Sequence, residues 1–171
     1  MESLLKCRKF EVVSRPIPAS DGRPHRLEYV VHPGAVVILP LLSPDECVMI
    51  RNHRPALDLE LWELPAGTLD RPGEDPQAAG ARELIEETGY RAGSLSKLCE
   101  FYSAPGCMTE LLTAFVAEDL SFVGQRLEPT ERIQVEPMPV ADALAMVRDG
   151  RIMDAKTIVT LLRWDMERRG N

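Results

Sequence analysis

The sequence predicts a mixed α/β (α+β) sandwich that carries an N-terminal antiparallel β-hairpin extension, and three observations lead there. Short β-prone runs fill most of the chain between Lys9 and Gly67. A helix bracketed by Asp75-Pro76 and Gly89 follows them. Further strand-like runs then give way to two helical stretches before the C-terminal end, an order that implies a mixed sheet between helices. A chain of 171 residues suits about one domain with its own core. We therefore expect residues 1–33 as the hairpin extension and 34–171 as the main domain.

Each element has a local reason. "FEVV" and "LEYVV" flank Asp21-Gly22, a strong hairpin turn signal. "GAVVILPLL" and "CVMIRNHR" read as two strands around the turn at "SPDE", and "LELWELPAG" as another ending at Gly67. Asp75 is an N-cap residue, Pro76 suits the first helical position, and Gly89 suits a left-handed cap, so Pro76 to Thr88 should be helical. Strands are expected in "SLSKLCEFY", "LLTAFVAEDL" and "ERIQVEPMPV", with turn-rich stretches between them. "VADALAMVRDG" reads as a short helix ending near Gly150, and Asp154 should cap a last amphipathic helix, "AKTIVTLLRWDMERR".

A net charge of −7 argues against a general nucleic-acid or anionic-membrane binder, since such proteins collect basic residues to displace counterions. A phosphate ligand held locally, or through a metal, remains compatible. Cys7, Cys47, Cys99 and Cys107 are far apart and form no C-x-x-C pair, which suggests neither a zinc site nor a disulfide framework. With no run of 18 apolar residues and no leader-like start, the expectation is a cytoplasmic protein.

The feature that needs explaining is "GARELIEETGY", where Glu83, Glu86 and Glu87 crowd one helix although like charges three and four apart repel. Glu83 and Glu87 face the same way and Glu86 sits beside them. Hard divalent cations such as Mg²⁺ take oxygen ligands and commonly combine a few carboxylates with substrate phosphates. The plainer alternative is a solvated face with an ordinary Arg82–Glu86 pair.

The longer stretch "GTLDRPGEDPQAAGARELIEETGY" resembles the Nudix box, whose core is R-E-x-x-E-E-x-G followed by an apolar or aromatic residue. Arg82, Glu83, Leu84, Glu86, Glu87, Gly89 and Tyr90 stand at those positions in order, and Glu74 at the earlier acidic one. Six residues separate Gly67 from Glu74, one more than usual, which should enlarge the loop without moving the helix. The resemblance implies a Nudix-type α/β/α sandwich over residues 34–171. It also implies a metal site made by the Ala66 carbonyl with Glu83 and Glu87, and Glu86 supporting or completing a second ion. The cofactor implied is Mg²⁺, with Mn²⁺ as a substitute.

"HPGAVVILPLL", "RNHRPALDLELWELPAG", "FYSAPGCMTE" and "RIMDAKTI" are similar to segments of the ADP-ribose pyrophosphatase group, as is Pro105, fifteen residues beyond Tyr90 (105 − 90). That likeness implies hydrolysis of ADP-ribose, or of a related nucleoside diphosphate sugar such as GDP-mannose, unless the domain only binds its nucleotide. Arg54 matches an arginine on the substrate diphosphate, and Glu110 an acid near the diphosphate and its metals. Arg51 and His53 flank Asn52 beside Arg54 and join the candidate substrate residues; His53 either approaches the base or packs in the sheet. For the catalytic base, Glu131 stands in the matching place, Glu128 replaces it if the loop shifts by one residue, and Glu86 is the alternative on the helix. Relatives of this group imply a homodimer in which the N-terminal hairpin crosses to the partner.

Overall fold

The computed structural model describes residues 1–170. At the N-terminus β1 (Glu2–Lys6), β2 (Glu11–Ile17) and β3 (His25–Val31) form a three-stranded antiparallel sheet. The expected hairpin is β2–β3, with Gly22 in its connection at a φ of 70°, in the left-handed region that glycine enters without steric cost. Strand β1 was not foreseen. All its residues are exposed, so no alternation of apolar and polar positions marks it, and it exists by pairing with the edge of β2. The sheet is tied to the rest at Val30, whose N–H donates to the Cys107 carbonyl (2.9 Å) and whose carbonyl accepts from the Thr109 N–H (2.9 Å).

The main sheet begins with β4 (Ala35–Ser43), β5 (Glu46–Arg54), β6 (Leu59–Glu63) and β7 (Ala66–Thr68). Sequence reading takes "LELWELPAG" as one strand; the structure splits it. Pro65 has no N–H to give a ladder, and there the chain leaves β5, which β6 pairs with, for β4, which β7 pairs with. Helix α1 (Pro76–Thr88) is bounded as expected: the Asp75 carboxylate accepts from the Ala78 N–H (3.1 Å), and Gly89 adopts φ 78°. A small ribbon of β8 (Tyr90–Arg91) and β11 (Ser121–Phe122) brackets β9 (Ser94–Tyr102) and β10 (Leu111–Glu118). After β12 (Ile133–Pro139) come α2 (Val140–Arg148) and α3 (Ala155–Arg168), the latter capped by Asp154 on the Thr157 N–H (3.0 Å).

The strand order is β12-β5-β4-β10-β9, with β4 and β10 parallel and the other pairs antiparallel. Strand β4 is buried on both faces, which is why it reads as a continuous apolar run. Val36 and Ile38 pack with Ala79 and Leu84 of α1, while Val37, Leu39 and Leu41 pack with Leu144 of α2 and Leu161 of α3. The result is the α/β/α sandwich expected. All four cysteines are free, and among the described residues no helix is long and apolar enough to cross a membrane.

The C-terminal end of α1 has a second anchor. Its carbonyls would lack partners, but the chain after β11 returns to satisfy them. Val123 and Gly124 N–H groups donate to Gly89 (2.7 and 3.2 Å), Arg126 N–H to Glu86 (2.9 Å), and the Gln125 side chain to Glu87 (2.7 Å). A Cβ on residue 89 would lie 2.7 Å from the Gln125 nitrogen and 2.9 Å from the Gly124 carbonyl carbon. Gly89→Ala is thus expected to lower the unfolding free energy by more than the ~1–2 kcal/mol of a left-handed alanine alone. Denaturant unfolding measures this, and an unchanged midpoint would show that the loop does not press on the helix end.

Candidate active site

The junction of β7 and α1 is built around a buried acid. Glu87 is 5% exposed, and its Oε2 accepts the Ala66 N–H (2.9 Å). Burial pushes its pKa up to about 8; the Ala66 N–H opposes that rise, and the negative charges of Glu83 and Glu131 add to it. Glu83 lies against Gly67, where a Cβ would stand 2.0 Å from the Glu83 Cδ, so the glycine is required by close approach rather than by φ. Burial also raises the Glu83 pKa, with Arg82 beside it offsetting part of the rise.

Arg82 gathers the remaining acids. Its Nη1 donates to Glu83 (2.7 Å) and Glu86 (2.8 Å), while Nε and Nη2 reach the two oxygens of Glu74 (3.1 and 3.2 Å). The plain Arg82–Glu86 pair therefore exists, and it coexists with a convergence of carboxylates. The extra residue before Glu74 is absorbed in the loop, which turns at Gly73 (φ 74°), and the bidentate Glu74–Arg82 contact is kept.

A cavity of about 830 Å³ opens here, and Ala66, Glu83, Glu86 and Glu87 line it. Glu128 and Glu131 line it too, from the loop that follows the α1 anchor. Within that loop the Glu131 Oε2 accepts the Glu128 N–H (2.8 Å). Arg54, His53 and Glu110 also face the cavity; His53 stands 3.9 Å from Asp58 and Glu110 3.5 Å from the His32 ring. Arg51 and Pro105 are not brought to it. The Arg51 guanidinium pairs with Glu60 and stacks over Trp62 at 5.6 Å, and Pro105 sits in the turn after β9.

Several lining residues escaped the sequence reading. Arg8 and Lys9 come from the β1–β2 turn, and Lys156 from the first turn of α3. Lys156 bonds Glu63, which is 1% exposed and also holds Arg54. A signal for Lys156 was available: a cation in the first turn of a helix opposes the macrodipole and calls for an explanation.

The donor chemistry fits a hard divalent ion, because Glu83, Glu86, Glu87, Glu131 and the Ala66 carbonyl offer oxygen alone. Glu87 in particular is a desolvated acid with one N–H donor and, among the described residues, no ion-pair partner. Nowhere among the described residues do three acid, histidine or cysteine side chains already stand as a closed metal cage. Arg82 pairs with both Glu83 and Glu86.

An α/β/α sandwich with a short glycine-bearing strand, an acid-rich helix and a mixed-charge cavity places the site on a loop and helix beside a sheet. The family model of the NUDIX domain matches residues 31–159, and the chain belongs to the Nudix hydrolase family. It is 34% identical over 158 residues to an ADP-ribose pyrophosphatase of Bacillus subtilis (strain 168), covering 91% of this chain and 85% of that one. A methanol dehydrogenase activator of Bacillus methanolicus is 30% identical over 162 residues, covering 94% and 87%. A GDP-mannose pyrophosphatase of Cronobacter sakazakii is 41% identical over 138 residues, covering 75% and 71%. Among solved structures, an ADP compounds hydrolase superposes with a TM-score of 0.84 at 25% identity, covering 99% of this chain and 91% of that one. Members of the family generally use divalent metal ions.

The buried Glu87 has a consequence for stability in the metal-free protein. Its folded pKa, near 8, lies above the ordinary value of 4.5, so between those values the folded state keeps a proton that the unfolded state has released. Its contribution is complete below about pH 4.5 and is lost as pH rises toward 8. Melting in EDTA from pH 5 to 8 should show a decline that Glu87→Gln flattens; a decline of equal slope in the variant would place the effect elsewhere.

Proposed function

We propose that the protein hydrolyses the diphosphate bond of ADP-ribose, or of a closely related nucleoside diphosphate sugar, with Mg²⁺ as cofactor and AMP and ribose 5-phosphate as the products from ADP-ribose. The observation that carries this reading is one cavity shared by the Glu83, Glu86 and Glu87 carboxylates and the Arg54 guanidinium. Such a cavity suits a substrate that is both anionic and metal-bound. The named activities of the relatives support the substrate class.

Ala66, Glu83, Glu86 and Glu87 are the residues that would hold metal. Bound there, a divalent ion would neutralise phosphate charge and acidify water. Arg54 orients the diphosphate by a charge-assisted contact. Water then attacks one phosphorus, the bridging P–O bond breaks, and the proton passes to a carboxylate. Glu131 is the favoured acceptor. Its Oε2 accepts the Glu128 N–H, Oε1 has no hydrogen-bond partner among the described residues, and its charge is felt by both Glu83 and Glu87. Glu86 is less free to take the proton because its carboxylate is engaged by Arg82 (2.8 Å). Glu128, one turn of loop away, is the alternative.

The likeness to GDP-mannose pyrophosphatases favours a second reading, in which GDP-mannose is the better substrate. Turnover of ADP-ribose, ADP-glucose, GDP-mannose and NADH should be compared at limiting enzyme, with AMP or GMP release as the readout. ADP-ribose is expected to lead, and Glu87→Gln to cut kcat at least ~10²-fold by losing a charge that stabilises the transition state. Tight binding of ADP-ribose with no AMP released would instead make this a non-catalytic nucleotide-binding module.

The N-terminal residues 1–33 are proposed as a dimerisation element. Leu4 and Leu5 of β1 and Phe10 beside it are exposed apolar side chains on a sheet with a free edge. Sedimentation should give a dimer that Leu5→Glu weakens; a monomer at micromolar concentration would exclude this role.

A further inference from the structure

The loop that carries Glu128 and Glu131 is tied at both ends by one side chain outside the cavity. Residues 126–132 lead from the end of α1 into β12. At the near end the Arg126 N–H donates to the Glu86 carbonyl (2.9 Å). At the far end the Arg132 carbonyl accepts the His53 N–H (3.1 Å), and Ile133 pairs with Asn52 of β5. Gln125 joins the two ends. Its Nε2 donates to the Glu87 carbonyl (2.7 Å) and, at the long end of hydrogen-bonding distance, to the Ile133 carbonyl (3.5 Å). Among the described residues no other side chain is hydrogen-bonded to both α1 and β12.

The partners fix which way the amide faces. A carbonyl only accepts, so two carbonyls at one end of a glutamine require the NH2 end there, and its two hydrogens match the two oxygens. Helix capping alone does not account for both contacts. The bond to Glu87 satisfies a carbonyl in the last turn of α1 that has no partner within the helix. An exposed glutamine that only capped would leave its second hydrogen to water, whereas here it turns to the first residue of β12.

Between these ties the loop is hydrogen-bonded only to itself. The Glu128 N–H donates to Glu131 Oε2 (2.8 Å), and the Glu131 N–H donates to the Glu128 carbonyl (3.0 Å). That ring places the two acids relative to each other, and no hydrogen bond among the described residues runs from residues 127–131 to α1 or to the sheet. Where the ring stands over the acid helix is therefore inherited from its ends. The placement matters chemically, because an acid that accepts a proton from an attacking water must lie within about 3 Å of it, and a shift of about 1 Å costs ~10²-fold in rate.

We propose that Gln125 is a positioning residue, a staple that fastens both ends of the loop to the last turn of α1 and so sets Glu131 against the carboxylates of that helix. The assignment rests on the hydrolase reading above. Gln125 stands outside the cavity lining and touches no substrate atom. It acts through Glu87, whose carboxylate faces the cavity while its backbone carbonyl holds the staple. Because the staple bears on the proton acceptor and not on the groups that would bind the diphosphate, its loss should appear in kcat and spare KM.

Steady-state kinetics on the best substrate of the wild-type protein, with amide hydrogen exchange beside them, test the staple. Gln125→Met keeps the length and removes both donors; kcat is expected to fall ~10- to 100-fold with KM within about threefold. Gln125→Glu, equal in shape but facing two carbonyls with acceptors, should lose at least as much. In a Glu131→Gln background, itself slowed, Gln125→Met should lower kcat by no more than about threefold further, since the acid it positions is already gone. Exchange at residues 126–132 should quicken about fivefold in Gln125→Met without substrate, the size of one hydrogen bond. If Gln125→Met does not fold, Gln125→Asn, too short to span the two carbonyls, carries the same comparison. Unchanged exchange in the loop, a kcat within twofold of wild type, or an undiminished further loss in the Glu131→Gln background would each overturn the staple and leave the hydrolase reading intact. A Glu131→Gln protein with wild-type kcat would do the same. A wild-type protein that turns over no nucleoside diphosphate sugar would overturn the hydrolase reading, and the catalytic role of Gln125 with it.

Discussion

A carboxylate buried against a backbone amide is the constraint from which the site follows. Glu87 occupies a position that water scarcely reaches, and the Ala66 N–H is the group that makes this tolerable. That one contact fixes β7 against α1, and with it the closeness of Gly67 to Glu83 and the direction in which the acid helix presents its charges. An acid so placed is a poor anion in isolation and a strong partner for any cation, whether a proton or a metal. Arg82 answers the same need for the neighbouring acids, holding Glu74, Glu83 and Glu86 in place by hydrogen bonds. Much of the site's order is therefore electrostatic and internal to the chain.

Two of the cavity's cations are held by acids that do not belong to the helix. Acids come from α1 and from the Glu128–Glu131 loop, while Arg54 and Lys156 are held by Glu63 and Asp154 behind them. In a chain with a net charge of −7, Arg54 and Lys156 thus stay available as positive groups in the cavity, whereas Arg82 is engaged by the acids of the helix. The interruption of the strand at Pro65 fits the same arrangement. Splitting "LELWELPAG" lets Glu63 finish on β5's side and Ala66 begin on β4's side, so that one short stretch serves both halves of the cavity.

Local signals carried much of the fold. Asp75, Pro76 and Gly89 bound α1 because capping chemistry is read within four or five residues, and Asp154 marks α3 for the same reason. The glutamates of the helix were visible through helical spacing. Strand β1 was not, since its burial pattern is uniform and its reason for existing is an edge elsewhere. Likewise the break at Pro65 depends on which neighbour each half finds, a tertiary matter. Arg54 and Glu131, named through family likeness, line the cavity, whereas Lys156 lies 93 residues from Glu63, and nothing local states that they meet. Arg51 was drawn in by its sequence neighbours, although Glu60 and Trp62 hold it outside the cavity.

The hydrogen bonds from residues 123–126 to the end of α1 join two points of the chain that are far apart in sequence. Everything between them, from β8 through β11, is an excursion that leaves the helix and comes back to it. The turn bearing Glu110, along with Phe101 and Tyr102 at the cavity, rides on that excursion. Its strands pack on the acid helix, Phe115 and Ala117 of β10 meeting Ala79 and Leu84 of α1, whereas the turn bearing Glu110 stands at the cavity wall. Variation confined to that turn would alter the cavity wall without touching the hydrogen bonds that anchor the end of α1, and relatives of similar identity carry the names of different substrates.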